Sequence, residues 1–232
     1  MADATAEGLV ALGRRVVAAG LVVASGGNLA VRLPESDGIL VTPRGWALDD
    51  LDVTALATVG PDGRHISGPY APTTELALHR AALGVRSDAA ISLHLHPPMA
   101  TLLHALGRPI RRITTDHAFY LRRVGEVPFI QPGSDRLARA VATELAGSDI
   151  VMLAHHGCLI VADSFDVGFS RAANLEAAAI ATYRAHVLGA DMADCPPEFL
   201  AAVEAQEAAG LVYGKAATGA MDRSDGAIKP GA

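Results

Sequence analysis

Two histidines separated by a single residue, His94 and His96, are the most chemically informative pair in this 232-residue chain. They end the apolar run Ile-Ser-Leu-His-Leu-His and are followed by two prolines. In a β-strand, side chains i and i+2 point to the same face, so both imidazoles can bind one metal ion. His156 and Glu75 can complete the ligand shell. Three imidazoles and a carboxylate suit zinc, and they also tolerate manganese, cobalt or iron.

Two of these ligands have competing interpretations. His155 and His156 are adjacent, and a strand would direct them to opposite sides, so we expect only one of them to bind the metal. Glu75 lies near a predicted helix start, where its carboxylate would also interact favourably with the helix dipole. His79, one turn after Glu75, is a candidate hydrogen-bond partner for it.

Three short loops predict a site for a small anionic molecule. They are Gly-Gly-Asn, ending at Asn28, Thr-Pro-Arg-Gly, containing Arg44 and Gly45, and the hydroxyl pair Thr73 and Thr74. Backbone amides and hydroxyls of this kind can hold a phosphate or a carboxylate. An arginine at the second loop can bind either anion in bidentate fashion.

Periodicity and turn residues predict alternating helices and strands that hold these groups. We expect helices over residues 6–19, 74–83, 99–106, 136–145, 165–188 and 196–209, and strands over 29–33, 38–41, 55–59, 90–96, 127–130, 150–154 and 159–161. Gly84 is expected to end the second helix. This pattern predicts a single α/β domain over residues 1–215, a mixed central β-sheet covered by helices, followed by a flexible tail over 216–232.

Composition narrows the class of protein. The formal charge is −6 with no block of like charges, so we expect no nucleic-acid partner. The arginine pairs 111–112 and 122–123 are interpreted as solvated side chains, with an anion-binding rim as the alternative. No signal peptide and no membrane-spanning run is expected. Two cysteines outside any cysteine-rich framework favour the reducing cytoplasm.

The motifs Gly-Gly-Asn-Leu-Ala, Thr-Pro-Arg-Gly, Pro-Thr-Thr-Glu, His-Leu-His-Pro and His-His-Gly occur in this order along the chain. This ordered series resembles the class II aldolase/adducin family, whose enzymes include fuculose-phosphate and rhamnulose-phosphate aldolases and ribulose-phosphate 4-epimerase. The resemblance covers roughly residues 6–213. It implies a three-layer fold, with helices on both sides of the sheet, and a homotetramer with a zinc-like ion at each subunit interface.

The resemblance also implies roles for individual residues. The metal ligands would be Glu75, His94, His96 and His156. The phosphate pocket would use Asn28, Gly45, Thr73 and Thr74. Tyr213, followed by glycine, looks like the tyrosine that reaches a neighbouring active site in fuculose-type aldolases. The family's enzymes imply retro-aldol cleavage of a small hydroxy-carbonyl compound through a metal-stabilised enediolate, with Glu75 alternating between ligand and base.

Two departures from the family pattern leave the reaction open. Arg44 stands where the aldolases have a second small hydroxyl residue, so a carboxylate substrate, possibly aromatic, and hence decarboxylation, is the main alternative. The segment that usually carries the proton donor matches neither the aldolases nor the epimerase, although Asp116, His117 and Tyr120 are able acid–base groups. Sugar-phosphate 4-epimerisation and a non-catalytic adducin-like module are further alternatives.

Overall fold

The computed structural model describes residues 2–34, 36–190 and 192–208. The described chain divides into two compact units, residues 2–195 and residues 196–208. The predicted domain boundary at residue 215 and the predicted tail lie outside the described residues. Tyr213 also lies outside them.

Helices and strands alternate along the first unit. Its helices are α1 (Ala2–Ala18), α2 (Leu76–Val85), α3 (Pro98–Ala105), α4 (Thr115–Leu121), α5 (Asp135–Leu145) and α6 (Phe165–Val187), with a 3-10 turn at Val53–Ala55. Its strands are β1 (Asn28–Arg32), β2 (Ile39–Val41), β3 (Ala57–Val59), β4 (His65–Ser67), β5 (Ile91–Leu95), β6 (Val124–Val127), β7 (Ile150–Leu153) and β8 (Gly157–Ala162). The second unit contains α7 (Pro197–Ala208).

The strands of the described chain form one eight-stranded sheet in the order β4-β3-β2-β1-β5-β8-β7-β6. Neighbouring strands are antiparallel except β6 and β7, which are parallel. The predicted mixed sheet is therefore confirmed. Strand β5 lies between β1 and β8, and the β1–β5 register places Asn28 opposite His94.

The sheet has a hydrophobic core on each face, as a helix-covered sheet requires. Leu93 and Leu95 of β5 belong to one core, which includes Leu9 and Leu12 of α1 and Leu175 of α6. The other core joins α2 and α5 to strands β2, β3, β7 and β8. Ser92 and His94 alternate with the leucines and point to the α2 side, where Ser92 bonds a side chain of that helix. The prediction of helices on both sides is confirmed.

Several predicted element boundaries were wrong for local reasons. The strand expected at 127–130 is β6, which ends at Val127 because Pro128 cannot donate to a strand ladder. Gly84 does not end α2, which continues to Val85. The strand expected at 55–59 is β3, which begins only at Ala57 because Ala55 ends a 3-10 turn. Strand β4 is exposed and only three residues long, and α4 is short, so neither carried a hydrophobic pattern long enough to predict it.

Candidate metal centre

Four elements bring the proposed ligands to one end of the sheet. His94 is the fourth residue of β5, and His96 follows the last residue of that strand. His156 lies in the turn between β7 and β8, where its backbone amide donates to the carbonyl of Leu153 over 3.0 Å. Glu75 is the residue before α2, and its amide donates to the hydroxyl of Thr73 over 3.2 Å.

The donor atoms of these side chains converge on His94. Its Nε2 lies 2.9 Å from His96 Nε2 and 3.2 Å from His156 Nε2. Glu75 Oε2 lies 3.0 Å from the same nitrogen, and Glu75 Oε1 lies 3.6 Å from His156 Nε2. Nitrogens about 2.0–2.1 Å from one tetrahedral ion are separated by roughly 3.4 Å. The observed spacing is thus close to that of a ligand set.

The tautomer of His94 indicates what these atoms can bind. His94 Nδ1 lies 3.0 Å from the carbonyl oxygen of Cys158 and must donate to it, which leaves a lone pair on Nε2 of the neutral ring. That lone pair faces two further imidazole nitrogens and a carboxylate oxygen. Glu75 Oε1 is buried with no hydrogen-bond partner among the described residues. A divalent cation would satisfy all of these atoms, so the residues fit the metal that the resemblance implies.

His155 and His156 take different roles, although not for the reason that the sequence indicated. Both lie in a turn rather than in a strand. His155 adopts a left-handed backbone conformation, with φ at 58°, and its side chain is exposed. The three-histidine cluster contains His94, His96 and His156 only, within the described chain.

A buried chain of hydrogen bonds supports the carboxylate of Glu75 from behind. Asn28 Nδ2 donates to Glu75 Oε2 over 3.1 Å, and Asn28 Oδ1 lies 2.7 Å from His79 Nε2. An amide oxygen only accepts, so His79 carries its proton on Nε2. Its Nδ1 then accepts from the hydroxyl of Ser92, 2.9 Å away. His79 therefore reaches Glu75 through Asn28 and not directly, as the sequence had suggested.

Burial and neighbouring charges hold the site in its metal-ready protonation state. Burial lowers the pKa of His79 to about 3 and that of His96 to about 4, and His94 adds to both effects. Burial and then His94 also lower the pKa of His156. Burial raises the pKa of Glu75, but the neighbouring His94 and the amide of Asn28 lower it to about 2, so the carboxylate is ionised. Neutral imidazoles and a carboxylate are the forms that bind metals.

The predicted anion loops lie next to one another. The amide of Arg44 donates to the carbonyl of Ala71 over 3.0 Å, and the amide of Thr73 donates to the carbonyl of Thr42 over 3.1 Å. These bonds join the Thr42–Gly45 loop to the segment that leads into Glu75. Arg44, Gly45 and Thr74 are exposed, and Thr73 is buried. Asn28, predicted to bind phosphate, has its side chain bonded to Glu75 and His79.

The predicted acid–base segment forms α4. Asp116 is exposed in the first turn of this helix, and the next residue, His117, is buried with no partner for its Nδ1 among the described residues. Burial lowers the pKa of His117, and Asp116 opposes that shift. No hydrogen bond or ion pair joins either side chain to the metal ligands within the described chain. Tyr120 is half-buried and packs against the core on the α6 side.

Sequence reasoning missed the contributions of Ser92 and Gly157. Ser92 precedes His94 by two residues in the same strand, so period-two spacing could have placed it on the metal-ligand face. A β-carbon on Gly157 would lie 2.6 Å from His96 Cδ2 and would also collide with the Leu95 carbonyl. In the sequence, the only sign of this close approach between Gly157 and β5 is that a glycine follows two histidines.

Comparison with known proteins agrees with this geometry. The family described as Class II Aldolase and Adducin N-terminal domain matches residues 7–183. The family is divalent-metal dependent, and the three-histidine cluster can hold such an ion. Among the described residues, no helix has both the length and the apolar character needed to cross a bilayer.

Individual relatives are lyases. The chain is 33% identical to L-fuculose phosphate aldolase of Methanocaldococcus jannaschii over 136 residues, 59% of this chain and 72% of that protein. It is 30% identical to 3-oxo-tetronate 4-phosphate decarboxylase of Escherichia coli over 193 residues, 81% and 87% of the two chains. The fold is similar to that of a solved L-fuculose 1-phosphate aldolase, with a TM-score of 0.79 at 24% identity, covering 87% of this chain and 95% of the other. The chain therefore belongs to the class II aldolase and adducin family, as a metal-dependent lyase of the class II aldolase type.

Proposed function

We propose that the protein cleaves a carbon–carbon bond in a small phosphorylated hydroxy-carbonyl compound by retro-aldol reaction, with zinc held by Glu75, His94, His96 and His156. The convergence of two imidazole nitrogens and a carboxylate oxygen on His94 Nε2 is the observation that carries this proposal. Four ligands that offer only nitrogen and oxygen atoms suit zinc, and they are also compatible with manganese, cobalt and iron.

The bound ion would act as a Lewis acid toward the carbonyl oxygen of the substrate. The chain's own residues set the charge at the site and move the proton. Neutral His94, His96 and His156 add no negative charge, so among the proposed ligands Glu75 alone would offset the charge of a divalent ion. Glu75 combines an oxygen fixed by Asn28 with a second oxygen, Oε1, that has no hydrogen-bond partner within the described chain. Oε1 is the atom we assign to proton transfer at the reacting carbon.

The anionic end of the substrate is proposed to bind the loops beside Glu75. Thr73 and Thr74 supply hydroxyls, and Gly45 supplies a backbone amide at a left-handed position, with φ at 76°. Arg44 is exposed on the same loop and supplies a guanidinium fork for the anion. We retain Asn28 as a substrate contact, since only one of its amide protons is needed for Glu75.

A second acid–base group is proposed to come from a neighbouring subunit of a homotetramer. Asp116, His117 and Tyr213 are the candidates. His117 supports this arrangement, because its buried Nδ1 lacks a partner within the described chain. Cys158 and Cys195 are both free thiols, which supports our placement of the enzyme in the reducing cytoplasm.

Decarboxylation of a phosphorylated hydroxy or oxo acid is the second candidate reaction. Two observations favour it. One is Arg44, an exposed guanidinium beside the site that can pair with a carboxylate. The other is the relative in Escherichia coli that is named as a 3-oxo-tetronate 4-phosphate decarboxylase. Both reactions need the same ligand set and differ in the fragment that leaves.

Adjacent histidines provide a matched test of the metal site. His156→Ala should remove most bound metal and activity, because it deletes one of four ligands. His155→Ala should retain both, because that side chain is exposed and outside the cluster. Metal content by elemental analysis and folding by circular dichroism should be measured on both variants. Full metal content in folded His156→Ala protein would overturn the proposed ligand set.

A product screen separates the two reactions. Sugar phosphates and phosphorylated oxo acids should be incubated with metal-loaded enzyme while released aldehyde and carbon dioxide are assayed in parallel. Aldehyde release supports the aldolase, and carbon dioxide release supports the decarboxylase. Arg44→Ser should raise KM at least tenfold, with metal content unchanged, since a charge-assisted contact is lost. An unchanged KM would remove Arg44 from the substrate site.

A further inference from the structure

Helix α3 begins two residues after His96, and its first amide groups need a partner from elsewhere in the fold. Pro97 precedes the helix and Pro98 is its first residue, so neither offers a backbone N–H. The side chain of Pro97 accepts no hydrogen bond from the helix, unlike the serine, threonine or aspartate that usually precedes one. The amides that follow would otherwise lie unpaired at the end of the helix.

Glu176, within α6, supplies that partner. Its two carboxylate oxygens accept from the amide of Met99 over 2.9 and 3.1 Å, and Oε2 also accepts from the amide of Ala100 over 2.9 Å. The next amide, that of Thr101, donates to the carbonyl of Pro97 over 2.9 Å. The helix dipole also favours a negative charge at this end of α3. A carboxylate 77 residues further along the chain than Met99 therefore holds the start of the helix.

The carboxylate of Glu176 is committed to these amides. It is half-buried, and no basic side chain forms an ion pair with it within the part of the chain that the structure describes. A charge removed from water without a partner is costly, and hydrogen bonds from backbone amides offset that cost. Glu176 is therefore a specific link between α6 and the first turn of α3.

The position of His96 depends on where α3 begins. His94 pairs with Leu159 of β8, and the pairing of the two strands ends one residue later, at Leu95 and Cys158. His96 lies beyond that last pair, between the end of the strand and the start of the helix. A shift of the first turn of α3 would therefore be transmitted to the His96 backbone and to its ring.

Glu176 also lies close to the residue that orients His94. Burial raises the pKa of the Cys158 thiol to about 12, the amide of Leu95 opposes this shift, and the negative charge of Glu176 adds to it. The carbonyl oxygen of Cys158 accepts from His94 Nδ1 over 3.0 Å. Cys158 packs in the same core as Leu175 of α6. One carboxylate thus lies near the supports of both histidines.

We propose that Glu176 is a positioning residue of the metal centre, which fixes the start of α3 and thereby the direction of the His96 imidazole. This role rests on the proposed ligand set and extends it, since Glu176 belongs to another helix and touches none of the four ligands through a hydrogen bond. Without Glu176, the first turn of α3 would lose its amide acceptor. His96 Nε2, now 2.9 Å from His94 Nε2, would then no longer be held at ligand spacing.

Cobalt binding to the full-length protein tests this role, because the visible absorption of Co²⁺ depends on its coordination geometry. Glu176→Ala should weaken cobalt binding about tenfold, the lower end of the range for loss of a group that supports a ligand, and should alter the absorption spectrum. Glu176→Gln keeps one acceptor oxygen for the same amides, so its affinity should lie between those of the parent and the alanine variant. Competition with a chelator measures the dissociation constants.

Ser164→Ala is the matched control for the loss of a helix cap. The Ser164 hydroxyl accepts from the amide of Val167 over 3.4 Å at the start of α6, a helix that carries none of the proposed ligands. Urea denaturation should show that this variant is less stable than the parent protein. Its cobalt affinity and absorption spectrum should equal those of the parent.

The outcomes separate the role of Glu176 from the ligand set itself. Parent affinity and spectrum in folded Glu176→Ala protein, with folding checked by circular dichroism, would overturn the role of Glu176, and so would an equal loss in Ser164→Ala. If the alanine variant does not fold, parent affinity in Glu176→Gln would overturn it. A parent protein that binds no cobalt would instead overturn the proposed ligand set, and the role of Glu176 with it.

Discussion

Asn28 donates its side-chain amide to Glu75 Oε2 over 3.1 Å, which joins the first residue of β1 to the carboxylate that precedes α2. The bond spans 47 residues of sequence. It requires the Asn28 amide to face one way, and His79 imposes that orientation by donating to the amide oxygen. The Glu75 carboxylate, a proposed metal ligand, is thus oriented by a buried side chain outside the proposed ligand set.

Asn28→Ala should weaken metal binding about 10–100-fold, the range typical for loss of a supporting partner. The variant removes the donor to Glu75 and leaves a buried N–H of His79 unpaired. The dissociation constant for zinc or cobalt should be measured by competition with a chelator. Asn174→Ala is the matched control, because its amide bonds the Ser170 carbonyl within α6, away from the proposed metal ligands. Equal affinity in the two variants would contradict the role of Asn28.

Gly157→Ala should destabilise the protein by about 1–3 kcal/mol, the range for an overpacked site. The added β-carbon would collide with the Leu95 carbonyl and with the His96 ring. Because His96 must then move, metal affinity should fall as well. Urea denaturation and a metal competition assay measure the two effects.

Gly84→Ala is the matched glycine control. Gly84 lies within α2, and nothing lies within 4 Å of an added β-carbon there. Alanine in an open helical position should stabilise the protein by about 0.5–1 kcal/mol. A Gly157→Ala protein as stable as the Gly84→Ala protein would show that the turn after His156 tolerates a side chain.

The convergence of the proposed ligands was predictable because these residues carry unusual chemistry at a regular spacing. His94 and His96 follow the period of a strand, and the neighbouring prolines mark where that strand ends. The hydrogen-bond partners of Asn28 were harder to predict from the sequence. An asparagine after two glycines is typical of a turn, and only the β1–β5 register reveals that Asn28 lies opposite His94.

Short exposed elements and charged groups that meet over long sequence distances were harder to predict than the metal-ligand pattern. Strand β4 is three residues long, exposed on both faces and paired with β3 at the edge of the sheet, so its sequence carries too little pattern to detect. The Arg111–Arg112 and Arg122–Arg123 pairs are isolated in sequence, and the return of the chain at α4 brings them together. Prediction therefore failed where position depends on tertiary packing rather than on local pattern.

Asp149→Ala should destabilise the protein by up to about 3 kcal/mol, the low end of the cost of removing one partner from a buried ion pair, because these side chains are only partly buried. Asp149 Oδ1 lies 2.7 Å from the Arg86 guanidinium, and Oδ2 pairs with Arg171. Only 17% of the Asp149 side chain is accessible. Asp88→Ala, which removes a 66% exposed partner of Arg86, should cost under about 1 kcal/mol. Urea denaturation of both variants checks the difference, and equal losses would count against a stabilising role for this partly buried network.

Acid should destabilise the metal-free protein in two stages. His79 and His96 have folded pKa values of about 3 and about 4, below the ordinary value of 6.5. Between these values the unfolded chain binds more protons, so the free energy of unfolding falls as pH drops from 6.5 toward 4. Glu75, with its pKa lowered from 4.5 to about 2, adds a further loss below pH 4.5.

A pair of histidine variants tests the first stage. Urea denaturation of metal-free protein should be followed across the interval from pH 6.5 to pH 4, where His79 is neutral when folded and protonated when unfolded. His79→Gln removes that difference and should reduce the slope of stability against pH. His65→Gln, which replaces an exposed histidine of β4 in the same way, is the comparison variant. If the slope of His79→Gln matches that of the parent protein, then His79 does not contribute through its protonation, because only a group whose pKa changes on folding can produce such a dependence.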